Sequence, residues 1–472
     1  MRFLALRTSR PGRPRSLCYS APSPRLRGDR WPWSYRYDRP SHASTTTRTS
    51  HTASANGAGT PSRPRLHPRR FMGMRVTVTR GLAAAVALAV VLETSGSVHG
   101  ASIESWLNRV NPVPLPPVSA DAWALHQSSV VVDLHADPLL WNRDLLKRAS
   151  TGHVDLPRLR DGGVALQVFG VVTQFPVSVD VARTDPRWPD AITLLALVDR
   201  WPWEAVRSLK ARALYQAREL ERLAAAPAGH LVHIRSRADL DRFLDARKED
   251  PTLLAGLLAL EGAHALEGDP ANVGALFDAG IRMIGLTHFF DNEFAGSAHG
   301  IRKGGLTDKG RALVREMAQR GIIVDLAHAS SATIDDVLAM AERPPLVSHT
   351  GVRATCDNPR NLSDDQVRAI ASAGGVIGIG FWKTAVCGLS PADIARAIQY
   401  AVDLVGDDHV AFGSDFNGAV ATGFDASAVP AITQALLTSG LHPTSVRKIV
   451  GANAVRLIRE QLPAEDDRPA AR

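Results

Sequence analysis

Cysteine is scarce in this chain of 472 residues, with three in all, at positions 18, 356 and 387. Disulfides therefore do not carry the fold, and an apolar content of 45% is ample for a large core without them. Long apolar runs are missing too. The stretch from Gly81 to Leu92 holds 12 residues, against the roughly 20 that a spanning helix needs. There is no internal repeat of fixed period, and no low-complexity tract after the first 73 residues. Acidic residues are nearly absent from one end: residues 1–100 hold 17 Lys and Arg but only 3 Asp and Glu. The formal charge of +8 thus belongs to the leader, and the remainder carries −6. A mildly acidic globular part lacks the basic face that nucleic-acid binding requires.

Residues 1–73 are rich in Arg, Pro, Ser and Thr and show almost no apolar periodicity. Such a segment cannot bury enough surface to offset chain entropy and is expected to be a disordered basic leader. Met74-Arg75 and Arg80 then precede the apolar stretch, and small and polar residues follow as far as Gly100. A basic start, a short apolar centre and a small-residue exit describe a secretory signal. Residues 74–100 are accordingly expected to direct export and to be cleaved near Gly100. The true start is then Met72 or Met74, and the preceding tract a mis-assigned start or a transit-like segment. A short buried helix is the competing reading, but nothing polar alternates with the apolar residues to give it a second face. No cysteine follows the signal to take a lipid anchor. The expected destination is periplasmic or extracellular, with no stable membrane span after cleavage. In that compartment Cys356 and Cys387 are candidates for one bridge, or else two unrelated buried thiols.

From residue 101 to 465 strand and helix signals alternate, which argues for one α/β domain with a parallel sheet. Eight apolar runs stand out: VVVDLHAD, VALQVFGVVTQ, LLAGLLALEG, RMIGLTH, IIVDLAH, PLVSH, GGVIGIGFWK and VAFGSDF. Continuous apolar runs suit strands covered on both faces. Six of the eight end in a side chain that can bind a metal, take a proton or hold a substrate, and a (β/α)8 TIM-type barrel keeps its active site at the C-terminal ends of its strands. Helix starts are readable at Thr307, Ser363 and Ser390, with stops at Gly321, Gly374 and Gly406. Between the second and third runs lie about 80 residues, expected to form an inserted helical segment, Ala191 to Ala226, and a short strand, HLVHIRS.

The strand ends carry a recognisable set of donors. His135 and Asp137, two apart on a strand, would share a face, as two ligands of one metal require. Glu261 follows four apolar residues, where a carboxylate is costly unless paired or bound to a cation. A lone histidine at such a place is usually a satisfied core residue. His328 and His349 on consecutive strands, together with His135, Asp137 and Glu261, outweigh that reading. Two histidines, a His-Asp pair and a bridging carboxylate give each of two metals about three protein ligands and leave positions open for a shared hydroxide, the composition of a hydrolytic site.

These residues sit in segments that resemble the membrane (renal) dipeptidase family of dinuclear zinc peptidases: VDLHAD, LALEGAHAL, RMIGLTH, LTDKGRALVREMAQRGIIVDLAHAS, LVSHTGVRATCDNPRNLSDDQ, FGSDFNGA and GANAVRL, over roughly residues 125–460. The resemblance implies two zinc ions per chain. His135 and Asp137 would bind one and His328 and His349 the other, with Glu261 bridging them. It further implies that His288 polarises the scissile carbonyl or holds its oxyanion, that Arg360 grips the terminal carboxylate of a small dipeptide, and that Asp415 moves the proton. It also implies a Cys356–Cys387 bridge, since family members carry one at closely matching positions. Asp133 and Asp325 are candidates for orienting the histidine ligands or for ordinary solvated carboxylates. His264, His299 and His409 read as structural. The chain departs from the mammalian pattern at FFDNEFAGSAHG after His288, at Asn417 where the family often has a second Asp, and at FWKTAVC, which lacks a tyrosine.

Two other readings come from different classes. A barrel amidohydrolase acting on N-acyl amino acids or cyclic amides usually begins with His-x-His, whereas position 137 is Asp. A catalytically silent binding barrel would have no need of all five metal positions and Asp415. The sequence does not fix the dipeptide preference or the oligomeric state, a homodimer being one candidate.

Overall fold

The computed structural model describes residues 100–465 except 228, 229 and 341. The expected leader and all but the last residue of the expected export signal lie outside that set. Eight parallel strands close into a ring: β1 (Val131–Ala136), β2 (Val164–Val172), β4 (Leu254–Glu261), β5 (Ile281–Gly285), β6 (Ile323–Asp325), β7 (Leu346–Thr350), β8 (Val376–Ile379) and β9 (Val410–Phe412). The ring closes because β4 pairs with β2 on one edge and β5 on the other, while β1 pairs with both β2 and β9. This is a (β/α)8 barrel. A ninth strand, β3 (Leu231–His233), comes from the insertion and lies parallel to the start of β4 outside the ring.

The strands read as unbroken apolar runs because both faces are covered; every residue of β2 and β4 is buried. One apolar cluster draws a residue from each ring strand, among them Val132, Leu166, Leu257, Met283, Ile323, Leu346, Val376 and Ala411. Only the interior of a ring touches all eight strands, so this cluster packs the barrel itself. The C-terminal helix Asn453–Gln461 adds Ala454, Leu457 and Ile458 to it.

Helix ends fall where the sequence signals put them. Thr307 caps Asp308–Arg320, which stops at Gly321 with φ 73°, and Ser363 and Ser390 make capping boxes at Asp364–Ser372 and Pro391–Val405. The insertion differs from expectation. In place of one long segment it forms three helices, Ala191–Val198, Trp203–Arg207 and Leu209–Ala225. The first break is at Arg200, with φ 54°, and Pro202; the second is at Ser208, whose hydroxyl accepts from the Ala211 N–H and starts a new helix. Among the described residues no helix is long and apolar enough to cross a membrane.

Candidate metal centre and active site

Seven side chains converge at the C-terminal end of the ring. His135 lies in β1, Glu261 is the last residue of β4, and His349 lies in β7. Asp137 is just beyond β1, at the residue before the single turn Pro138–Leu140, rather than on the strand itself. Its carboxylate nevertheless reaches to 3.3 Å from His135 Nε2. His288, His328 and Asp415 each stand three residues past β5, β6 and β9. His328 and Asp415 have left-handed backbone, with φ 63° and 61°. That conformation costs a non-glycine residue on the order of 1–3 kcal/mol and is kept where the surroundings enforce it, commonly at functional sites.

Glu261 is the hub. Its Oε1 lies 3.1 Å from His328 Nε2, 3.5 Å from His349 Nε2 and 3.6 Å from His135 Nε2, and its Oε2 lies 3.4 Å from His288 Nε2. His328 Nε2 and His349 Nε2 face each other at 3.0 Å. Three overlapping groups have donor atoms within 4.8 Å of one another: His135, Glu261 and His349; Glu261, His288 and His328; and His135, Asp137 and Asp415. All of these side chains are buried.

The donors suit a cation. Both ring nitrogens of His135 and Oδ1 of Asp137 are buried without a hydrogen-bond partner among the described residues, a cost of about 1–3 kcal/mol per group if nothing satisfies them. The fold also keeps space around them. A Cβ at Gly170 on β2 would stand 1.9 Å from Asp137 Oδ1 and 3.0 Å from His135 Cε1, and one at Gly418 would stand 2.0 Å from Asp415 Oδ1. A glycine inside a strand weakens it, and here it makes room for the donors.

Burial governs the protonation of the cluster. It lifts Glu261 well above the usual carboxylate range, reinforced by the charge of Asp137 and opposed by His135. It lifts Asp415 to about 8, opposed by His135 and reinforced by Asp137. His288, His328 and His349 are pushed well below the usual imidazole value, chiefly by burial, with Arg360 contributing at His328 and His349. His135 goes the other way. Burial opposes its protonation, but Asp137, Glu261 and Asp415 together raise it to about 10. Neutral imidazoles gather on one side, and on the other the carboxylates draw a positive charge, here a proton on His135 that a bound metal would displace.

The surrounding residues hold this set in place. Asp133 accepts the Ser414 N–H at 2.7 Å and its hydroxyl at 2.6 Å, and Asp325 accepts the N–H groups of Ala327 and Ser348 at 2.9 and 2.8 Å. Both therefore tie strand ends together through backbone and hydroxyl groups. His299, set aside as structural in the sequence, makes a 3.0 Å contact from Nε2 to His328 Nδ1, while its Nδ1 meets Val181 O at 2.8 Å. It fixes which nitrogen His328 turns to Glu261. His349 Nδ1 meets Ser348 Oγ at 2.9 Å, and His288 Nδ1 meets Gln174 O at 3.1 Å. His409 bonds Gly375 O, away from the site, and His264 is buried beside Gly262.

Arg360 stands in the loop after β7. Its Nη2 donates to His349 O at 2.8 Å and its Nη1 to Thr350 Oγ1 at 3.4 Å, and its guanidinium lies 5.9 Å from the Trp382 ring centre. A disulfide joins Cys356 in that loop to Cys387 after β8, with a Cα–Cα distance of 5.3 Å. A cavity of about 590 Å³ opens above the cluster, and Asp137, Glu261, His288, His328, Arg360 and Asp415 all face it.

Comparison with known proteins agrees with this chemistry. The sequence profile of the membrane dipeptidase family, peptidase family M19, matches residues 119–470. The chain is 30% identical over 369 residues to dipeptidase aclJ of Aspergillus oryzae, covering 71% of this chain and 82% of that one. It is 34% identical over 212 residues to dipeptidase verJ of Clonostachys rogersoniana, where the match covers 43% of this chain and 55% of the relative's length. Among solved structures, a metallo peptidase from Rhodobacter sphaeroides, bound to a phosphinate mimic of the dipeptide L-Ala-D-Ala, superposes with a TM-score of 0.57 at 25% identity, covering 71% of this chain and all of that one.

Proposed function

The chain belongs to the membrane dipeptidase family of metallo-dipeptidases, and from that premise we propose that it hydrolyses dipeptides with a free C-terminal carboxylate at a centre of two zinc ions. The observation that carries the reading is Glu261, one buried carboxylate within reach of four imidazole nitrogens at the floor of a cavity that Arg360 also lines. His135 and Asp137 would hold one zinc, His328 and His349 the other, and Glu261 both. Bound there, the metals would supply Lewis acidity and would bring the pKa of a bound water toward neutrality.

Each remaining step belongs to a side chain of this protein. Arg360 binds the substrate carboxylate through a two-pronged guanidinium fork, held in place by its bonds to His349 O and Thr350 Oγ1. His288, whose Nδ1 donates to Gln174 O, lines the cavity, and in its doubly protonated form its Nε2–H would stabilise the oxyanion that develops at the scissile carbonyl. Asp415, buried beside the donors and facing the cavity, would take up the proton released by the attacking water and deliver it to the departing amine. His299 keeps His328 in the required orientation.

The proposal includes export. Its support is the signal-like segment 74–100 in the sequence and a disulfide of the kind that persists in oxidising compartments. Purified protein loaded with zinc and given a panel of dipeptides, their C-terminal amides, N-acyl amino acids and cyclic amides tests the activity. Cleavage of the free dipeptides is the expected result. Cleavage of the N-acyl or cyclic compounds alone would replace the reading with an amidohydrolase, and no turnover of any would leave a binding barrel.

A further inference from the structure

We propose that the chamber over the metal centre selects dipeptides whose N-terminal residue bears a large apolar side chain; this rests on the dipeptidase reading above and deepens it. The cavity's 590 Å³ lies within the range of about 300–1,000 Å³ typical of sites for drug-sized ligands, more than two small residues fill. Its polar groups are concentrated at the floor. Much of the wall is hydrocarbon, including Ile103, Trp141, Phe175, Ile192, Leu194 and Leu195.

That wall is built from segments outside the ring. Ile103 comes from the helix Gly100–Leu107, and Ile192, Leu194 and Leu195 from the first helix of the insertion. It is fixed from behind. Arg212, buried in the third insertion helix, donates to Thr173 O at 2.7 Å, Asp190 Oδ2 at 2.5 Å, Thr193 Oγ1 at 2.6 Å, Val206 O at 2.9 Å and Ala205 O at 2.7 Å. These bonds clamp the insertion to the chain leaving β2. Ile192 and Leu195 also pack with Leu140, Trp141, Val172 and Trp201 in one apolar cluster. A preformed apolar wall of this kind rewards each added methylene of a substrate by roughly 10-fold in discrimination.

The ring order gives the chamber its polarity. Round the barrel, β2 stands four strands from β7 in either direction. Arg360 follows β7, and Phe175 follows β2. With the C-terminal carboxylate on Arg360 and the peptide bond over Glu261, the N-terminal residue points across the mouth toward Phe175 and the insertion.

Two matched series test this: Gly-Ala, Leu-Ala and Phe-Ala, and Ala-Gly, Ala-Leu and Ala-Phe. Leu-Ala and Phe-Ala should exceed Gly-Ala in kcat/KM by roughly 10-fold or more, with no comparable gain in the second series. Leu194→Ser should cut the ratio of Leu-Ala to Gly-Ala several-fold and Leu194→Met should restore it, with melting temperature as the check on folding. Phe175→Ala gives a second variant on another segment, to be judged by the same ratio. Equal cleavage across the first series overturns the inference and leaves the dipeptidase standing, as does a preference confined to the second series. Ratios unaltered in both wall variants overturn it too. Cleavage of no dipeptide overturns both.

Discussion

Asp415 and Asn417 are two residues apart and both left-handed, with φ 61° and 64°, yet they serve two different clusters of buried charge. Asp415 faces the donors around Glu261. Asn417 joins a network in which its Oδ1 accepts the N–H groups of His153 and Val154 at 3.1 and 2.9 Å and its Nδ2 donates to Glu104 Oε1 at 2.6 Å. Arg143 pairs with Glu104 at 2.8 Å, and Arg158 pairs with Asp425 at 2.7 Å and with Asp155. The atoms of this network without a hydrogen-bond partner among the described residues, Glu104 Oε2, Arg143 Nη1 and His153 Nε2, belong to groups already held at another atom. In the Asp415 cluster, neither ring nitrogen of His135 has a hydrogen-bond partner among the described residues. A buried polar cluster completed from within is scaffold; one left open at its centre is built for something that arrives from outside.

The contrast also accounts for an amide, rather than a carboxylate, at Asn417. The neighbour of its Nδ2 is a carboxylate, so the position requires a donor that Asp in its ionised form lacks.

Substitutions on the open side should do most damage to function. Glu261→Gln should lose metal and drop turnover by at least roughly 100-fold, since losing even a supporting partner of a ligand costs about 10–100-fold; metal analysis beside kinetics checks it, and full retention of both would remove Glu261 from the centre. Asp415→Asn should keep metal and substrate affinity but lower kcat by roughly 10²–10⁴; a loss within a few-fold would reduce Asp415 to an orienting role. Arg360→Ala should keep its metal and lose about 2–5 kcal/mol of recognition, together with the preference for free acids over amides, measured on matched acid and amide substrates.

Substitutions on the closed side should alter stability instead. Burial pushes His153 down to about 4, so the fold favours its neutral form. The stability it contributes is complete above its ordinary value of 6.5 and is lost as pH falls toward 4, about 3 kcal/mol in all. Denaturant titrations across that window should slope less in His153→Gln than in the parent. Asn417→Asp should cost about 1–3 kcal/mol by replacing one of Glu104's two donors with a second carboxylate and leaving it Arg143 alone, read as a lower melting temperature at unchanged metal content. A loss of metal there would mean that the two clusters are coupled.

The barrel was legible because its strands are buried on both sides and metal-ligating residue types recur at their ends. Local signals carried the helix limits as well, as at Thr307 and Gly321. The insertion is helical, as its composition implies, but its division into three helices depends on Arg200, Pro202 and the Ser208 cap. Within the site, residue types near strand ends pointed to the donors, but not to what supports them. His299 lies 29 residues from His328, and the contact depends on a loop path that no periodicity encodes. Gly170 is one glycine in an apolar run, and the carboxylate it makes room for, Asp137, lies just past the end of another strand.

The helix Gly100–Leu107 faces both clusters: Glu104 enters the closed network, and Ile103 and Leu107 line the chamber. Selectivity and stability thus share a handle near the beginning of the globular chain. A recombinant product begun at residue 110, after this helix, would keep every metal donor while losing part of the pocket and Glu104's half of an ion pair. Measurements of preference on such a trimmed protein would describe a wider, softer enzyme.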